Sequence, residues 1–107
     1  MKIHDRHDVL DLLKVTGRVL SPNQRIVVLL YAASEQNSEG AVITRATELA
    51  ETLGMTPPVF SRTRKELVEL GWLEEAGSVG RIKLYRLAPH IETARGRSSG
   101  HLRVIGS

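Results

Sequence analysis

Cysteine is absent from the chain, so disulfides and thiolate metal sites are excluded and a reducing compartment suits it. No apolar run approaches the ~18 residues that a membrane-spanning helix needs. No charged-then-apolar leader opens the sequence. The expected location is therefore the cytoplasm, with no membrane partner. Aromatic side chains are scarce: Trp72, Tyr31, Tyr85 and Phe60 are the full set. That scarcity argues against modules that read RNA by stacking bases on several exposed rings. No Gly-rich phosphate loop, nucleophile elbow or pair of carboxylates in a catalytic spacing is present, and nothing arranges Ser against His. No enzyme and no cofactor are expected. His4 and His7, with Asp5 and Asp8, have the spacing of two metal ligands on one helical turn. No third or fourth ligand accompanies them, so no metal is expected either. His90 and His101 stand isolated near the end of the chain.

What is present is a chain of 107 residues, 41% apolar and 25% charged, which is an ordinary balance for one small globular domain. The net charge is +3, and its placement says more than its sum. Residues 1–55 carry six Lys/Arg against seven Asp/Glu. Residues 56–87 carry six against four, and residues 88–107 carry Arg95, Arg97 and Arg103 against Glu92. The positive excess thus lies in the second half. Binding to phosphates needs clustered cations of this kind, because each neutralised phosphate releases counterions.

Residues 4–16 read as a helix capped by Asp5 or Asp8 and stopped by Gly17. Its apolar residues, Val9, Leu10, Leu12, Leu13 and Val15, are too widely spread for one face. Either the helix lies over the core on two sides, or part of it pairs with a second copy of the chain. Ser21-Pro22-Asn23-Gln24 is a helix start with a capping box. The helix it opens runs to about Ser34, with Ile26, Leu29, Leu30 and Ala33 as its stripe and Val27, Val28 and Tyr31 adding apolar area elsewhere. A polar loop, 35–40, leads to Ala41-Val42-Ile43, a brief strand that can pair with a later hairpin. Thr44 caps the next helix, which buries Ala46, Leu49, Ala50 and Leu53 and ends at Gly54.

Thr56 and Pro57-Pro58 open a further helix, with the Thr56 hydroxyl as cap. Ser61, Arg62 and Lys65 fall on one side of it, and Phe60, Leu67 and Leu70 on the other. A basic face backed by an apolar one, after a short helix and a Gly turn, is how a helix is presented to a DNA major groove. After Gly71 come a strand over Trp72–Ala76, a turn at Gly77–Gly80 and a second strand over Arg81–Leu87. Ile82 and Leu84 share one face of that strand, and Arg81, Lys83 and Tyr85 the other. Residues 91–107 are rich in Gly, Ser and Arg and read as a mostly disordered tail. One helical turn at Ile91–Ala94 and a late strand from Leu102, Val104 and Ile105 are the local order expected there.

Helix, helix–turn–helix and hairpin follow one another in the order of winged helix-turn-helix proteins. Glu48-Leu49-Ala50-Glu51-Thr52-Leu53-Gly54-Met55-Thr56 resembles the second helix and turn of bacterial regulators of that class. Phe60-Ser61-Arg62 and Glu66-Leu67-Val68-Glu69-Leu70-Gly71-Trp72-Leu73 resemble the recognition helix and its exit. Gly80–Leu87 looks like the returning wing strand. The resemblance covers roughly Ser21 to Leu87 and is closest to MarR-like and GntR-like modules. It implies an α+β, mainly α fold: a three-helix core plus a two-stranded β-wing, here with an extra N-terminal helix. It divides the chain into an N-terminal helix over 1–20 as a dimerisation element, a DNA-binding domain over 21–88 and a basic tail over 89–107.

The resemblance also implies that Thr56, Pro58, Ser61, Arg62, Arg64 and Lys65 form the DNA-facing surface of the recognition helix. Arg62 is the best base reader, because Arg bonds guanine bidentately. Arg81 and Lys83 in the wing would meet phosphate or the minor groove, and Thr44 and Arg45 a phosphate. Two departures stand out. Such families place an aliphatic residue where Arg64 stands; its stem can lie on the core with the guanidinium toward phosphate. Pro58 removes one N–H from the start of the recognition helix. The function implied is that of a small, nucleoid-associated bacterial transcriptional regulator, most simply a repressor. It would bind double-stranded DNA as a homodimer without a separate sensor domain. A plasmid or phage replication factor and a winged-helix protein–protein module are the alternatives.

Overall fold

The computed structural model describes Ile3 and residues 5–88, together with the strand backbone of Ile91–Glu92 and Arg103–Val104. Four helices are followed by a hairpin. α1 spans Arg6–Val19, α2 Pro22–Ala33, α3 Ala46–Leu53 and α4 Pro57–Glu69. β1 spans Leu73–Val79 and β2 Ile82–Leu87, paired antiparallel. The architecture is mainly helical, a three-helix core with a two-stranded wing and an additional N-terminal helix, which is the winged helix-turn-helix arrangement.

The helix starts follow local chemistry closely. The Asp5 carboxylate caps α1, accepting from the backbone N–H of His7 at 2.9 Å and of Asp8 at 3.3 Å. Ser21 and Gln24 form the reciprocal capping box of α2. The Gln24 amide also donates to Glu66 on α4 at 3.1 Å, so one side chain both starts α2 and ties it to α4. Two expected caps are not made. The N-cap of α3 is Arg45 rather than Thr44, without a side-chain hydrogen bond. Thr56 stands at the N-cap of α4, but its hydroxyl accepts no capping bond. The reason is the sequence that follows: Pro57 and Pro58 have no N–H, which leaves only Val59 as a donor within reach.

Gly17 does not stop α1, which continues to Val19. A side chain there would come within 3.2 Å of the Arg25 guanidinium. Arg25 donates to the Thr16 hydroxyl at 3.3 Å and to the Leu13 carbonyl at 3.0 Å, joining α2 to α1. Leu12 and Thr16 are fully buried, and Val15 packs against the core. Leu10 and Val19 remain more than half exposed.

The core is the cluster of Leu12, Val27, Val28, Tyr31, Leu49, Phe60, Leu67 and Trp72 with their neighbours. α2 buries Val27, Val28, Tyr31 and Ala32 instead of the stripe expected from Ile26, Leu29, Leu30 and Ala33. Leu29 and Leu30 are half-buried at its margin, and Ile26 and Ala33 face out. In α4 the buried set is Phe60, Thr63 and Leu67, and Leu70 is 56% exposed. The Thr63 hydroxyl is satisfied within the helix by donating to the Val59 carbonyl at 2.8 Å, so a polar residue sits on the core face at low cost. Gly71, at φ +84°, then turns the chain so that the Trp72 N–H donates back to the Leu67 carbonyl at 2.9 Å.

The wing is longer than the sequence suggests. β1 runs on through Gly77 to Val79, and the turn is Gly80-Arg81. The register steps between Glu75↔Tyr85 and Ser78↔Lys83, so Ala76 and Gly77 together oppose Leu84. Gly77, at φ +99°, supplies the positive φ for this bulge rather than the turn itself. Only the base of the wing is buried. Leu84 and Leu87 face the body, whereas Ile82, expected beside Leu84, is 54% exposed at the projecting tip. Val42 joins the base as a third strand position, its N–H donating to the Tyr85 carbonyl at 2.9 Å. At the C-terminal end Ile91–Glu92 is a strand paired with Arg103–Val104, not the expected helical turn. His4, His90, His101 and the remainder of the tail lie outside the described residues.

The burial pattern separates two leucines of α4. Leu67→Ala should lower unfolding free energy by roughly 2–5 kcal/mol, as for other fully buried leucines. Leu70→Ala should change it by less than about 0.5 kcal/mol. Urea denaturation of the two variants checks this; equal losses would contradict the packing.

Candidate nucleic-acid interface

α4 positions its outer face by burying its inner one. With Phe60, Thr63 and Leu67 inward, helical spacing turns Pro58, Ser61, Arg62 and Lys65 to solvent, and all four are exposed. Thr56, at the helix start, is exposed beside them. At thirteen residues the helix is roughly 20 Å long, a length that suits a major groove.

The wing and the start of α3 flank this face. One cleft of about 500 Å³ is lined by Thr44, Arg45, Arg64, Arg81 and Lys83 together with Tyr31, Val42, Ile43, Ile82 and Tyr85. It opens where the chain after Val42 swings away from β2 to begin α3. A second, of about 330 Å³, separates α4 from the wing and is lined by Ser61, Arg64, Lys65, Val68, Glu75, Lys83 and Tyr85. Seven of the sequence-predicted residues, from three elements, thus line two neighbouring clefts that share Arg64 and Lys83. Thr56, Pro58 and Arg62 lie on α4 outside both clefts.

The cations are not equivalent. Arg62, Lys65 and Arg81 are exposed. Lys83 is exposed as well but forms an ion pair with Glu75 across the wing at 3.2 Å, so a phosphate must compete with that carboxylate. Arg86 is committed to structure. It donates to Glu74 through Nε at 2.7 Å and to the Glu39 carbonyl at 2.8 Å, pinning the 35–40 loop to the wing base.

Arg64 is half-buried, and its guanidinium carbon lies 4.3 Å from the centre of the Tyr85 ring and 5.5 Å from that of Phe60. Its group thus lies against both rings, and Arg64 also lines both clefts. Tyr31 stands behind it. Burial pushes the Tyr31 hydroxyl above its ordinary value, against the hydrogen bond and charge of Arg64, which pull it down. The parts of this cluster that sequence reasoning missed are Tyr31 and Tyr85. For Tyr31 the available signal was a polar tip in an otherwise apolar stretch; Tyr85, among the alternating cations of its strand, carried none.

No protein-family model matches the sequence, and no curated protein matches it. Among solved structures the chain is similar to the crystal structure of the adhesin competence repressor AdcR from Streptococcus pyogenes, with 22% sequence identity and a TM-score of 0.48. The likeness covers 73% of this chain, which spans about half (54%) of that repressor. No helix among the described residues is long and apolar enough to cross a membrane.

The raised Tyr31 value has a consequence for stability. An acid that holds its proton more tightly when folded contributes fully below its unfolded value of 10.0, and loses that contribution as pH rises through the folded value. Wild-type protein should therefore lose stability above pH 10 more steeply than Tyr31→Phe does. Urea midpoints measured across the alkaline range check this; parallel curves would contradict it.

Proposed function

We propose that this protein binds double-stranded DNA in a sequence-directed way as a small bacterial transcriptional regulator, most simply a repressor, and acts by occupancy without catalysis. The carrying observation is the exposed face of Pro58, Ser61, Arg62 and Lys65 on α4, flanked by Arg45, Arg81 and Lys83 from two other elements. In this reading α4 enters the major groove and Arg62 reads guanine. Ser61, Lys65 and Thr56 fix the helix on the backbone. Arg81 follows the adjacent phosphate or minor groove from the wing tip, with Lys83 the weaker contributor because of Glu75. Thr44 and Arg45 serve a phosphate at the start of α3. The location that fits is the nucleoid-associated cytoplasm.

Residues 21–88 form the DNA-binding unit of this proposal, and 89–107 are its basic tail. The N-terminal helix is the dimerisation element, with Leu10 and Val19 as its exposed apolar positions. Two copies related by a two-fold axis would place their α4 helices ~34 Å apart on an inverted repeat.

Binding to genomic fragments across a salt series tests the proposal. Log affinity should fall linearly with log salt. Arg62→Ala should cost about 1–3 kcal/mol on the preferred site and flatten discrimination, whereas Arg81→Ala should weaken all sites alike and reduce the salt slope by about 1. Absence of binding at low salt would overturn the reading. Sedimentation should return twice the 11.8 kDa chain mass; a monomer at high concentration would remove the symmetric-site arrangement.

A further inference from the structure

The two clefts beside α4 share Arg64, Tyr85 and Lys83 in their lining, and the stack of Arg64 on Tyr85 lies between them. On one side is Arg64 from α4; on the other is Tyr85 from β2, with Phe60 and Tyr31 beneath. Tyr85 pairs with Glu75, immediately inboard of the bulge at Ala76-Gly77, so the contact lies where the wing leaves the body. Further ties of the wing act at its base: the Val42–Tyr85 bridge, the Ala88–Trp72 backbone bond, the Arg86–Glu74 pair and the Arg86 bond to the Glu39 carbonyl. None of these joins α4's outer half to the wing. Open volume lies to either side of the stack, about 500 Å³ and about 330 Å³, so this contact crosses between two open clefts.

The geometry points to Arg64 as a positioning residue: a strut between α4 and the wing that sets the wing angle, rather than a phosphate ligand. A planar guanidinium lies flat on an aromatic face and still donates at its edge, which a lysine ammonium cannot reproduce. This explains why a cation stands at an inward-facing position, three residues before the fully buried Leu67. The consequence for binding rests on the DNA reading above. Arg81, beyond the bulge, reaches its phosphate only while the strut holds, so Arg64 acts through Arg81.

Two measurements test the strut, one of them without DNA. In the free protein, amide exchange followed by NMR should quicken in the wing beyond Glu75 on Arg64→Gln, which removes the cation, by roughly tenfold, the scale of one partly desolvated cation–π contact. The α4 amides should keep their wild-type rates. Tyr85→Leu, which leaves the charge in place, should reproduce the pattern. Unchanged wing exchange would overturn the proposal, and so would equal acceleration throughout α4 and the wing, which would mark a general packing role. The second measurement is a double-variant cycle on a mixed-sequence duplex at varied salt. Arg81→Ala should reduce the salt slope by about 1 in the wild-type background and by nearly nothing in Arg64→Gln. Additive effects would mean that Arg64 meets DNA directly. If no variant and no wild-type protein binds the duplex, the DNA reading fails while the exchange experiment still decides the strut.

Discussion

The packing of one stripe of α4 against the body constrains everything else in this molecule. Phe60, Thr63 and Leu67 are the inward positions, and α2 supplies Val27, Val28 and Tyr31 to receive them. Once those side chains are buried, the helix cannot rotate without exposing Phe60 or Leu67, each costing several kcal/mol. The outer face is then determined by periodicity alone. Ser61, Arg62 and Lys65 are outside because their neighbours are inside, and Gln24 holding Glu66 fixes the same orientation from the flank. If this face binds a partner, a surface fixed by burial in this way lowers the ordering cost of association.

The wing obeys a different constraint. Its base is locked by Leu84, Leu87, the Val42 bridge and the Arg86–Glu74 pair, while its tip beyond the bulge carries exposed Val79 and Ile82 around Arg81. A two-stranded ribbon has little stability of its own. Its direction must be imposed by the body, and the stack of Arg64 on Tyr85 is placed to impose it. The positive charges are therefore divided by task. Arg25 and Arg86 join elements, Arg64 braces one surface against another, and Arg62, Lys65 and Arg81 are left facing solvent. A net charge of +3 conceals this division, because it counts structural and available cations alike.

Much of the helix order was legible because its signals are local. Ser21-Pro22 with Gln24, Gly54 and Gly71 mark helix ends through backbone requirements that need no tertiary partner. Ser61, Arg62 and Lys65 were readable as an outward face for the same reason, since helical spacing alone sets them opposite Phe60 and Leu67. The misreadings are of another kind. Leu70 looked like core by hydrophobicity, yet it lies at the C-cap, where the helix has already run past its support. Gly77 and Gly80 both looked like turn residues, but which of two glycines makes the bulge and which the turn depends on strand register. Arg64 was the least legible. Its role needs Tyr85 from a strand twenty-one positions away and Tyr31 from α2, and no local pattern reports that meeting.

The central claim is that the outer face of α4, with the wing beside it, is the surface that meets duplex DNA. NMR shift mapping during titration with a short duplex tests it most directly. The account predicts that the largest shifts fall on Ser61, Arg62 and Lys65 and on the Gly80–Lys83 wing tip, with α1 and the outer face of α2 unmoved. Shifts confined to α1 and α2, or no shifts at low salt, would contradict it.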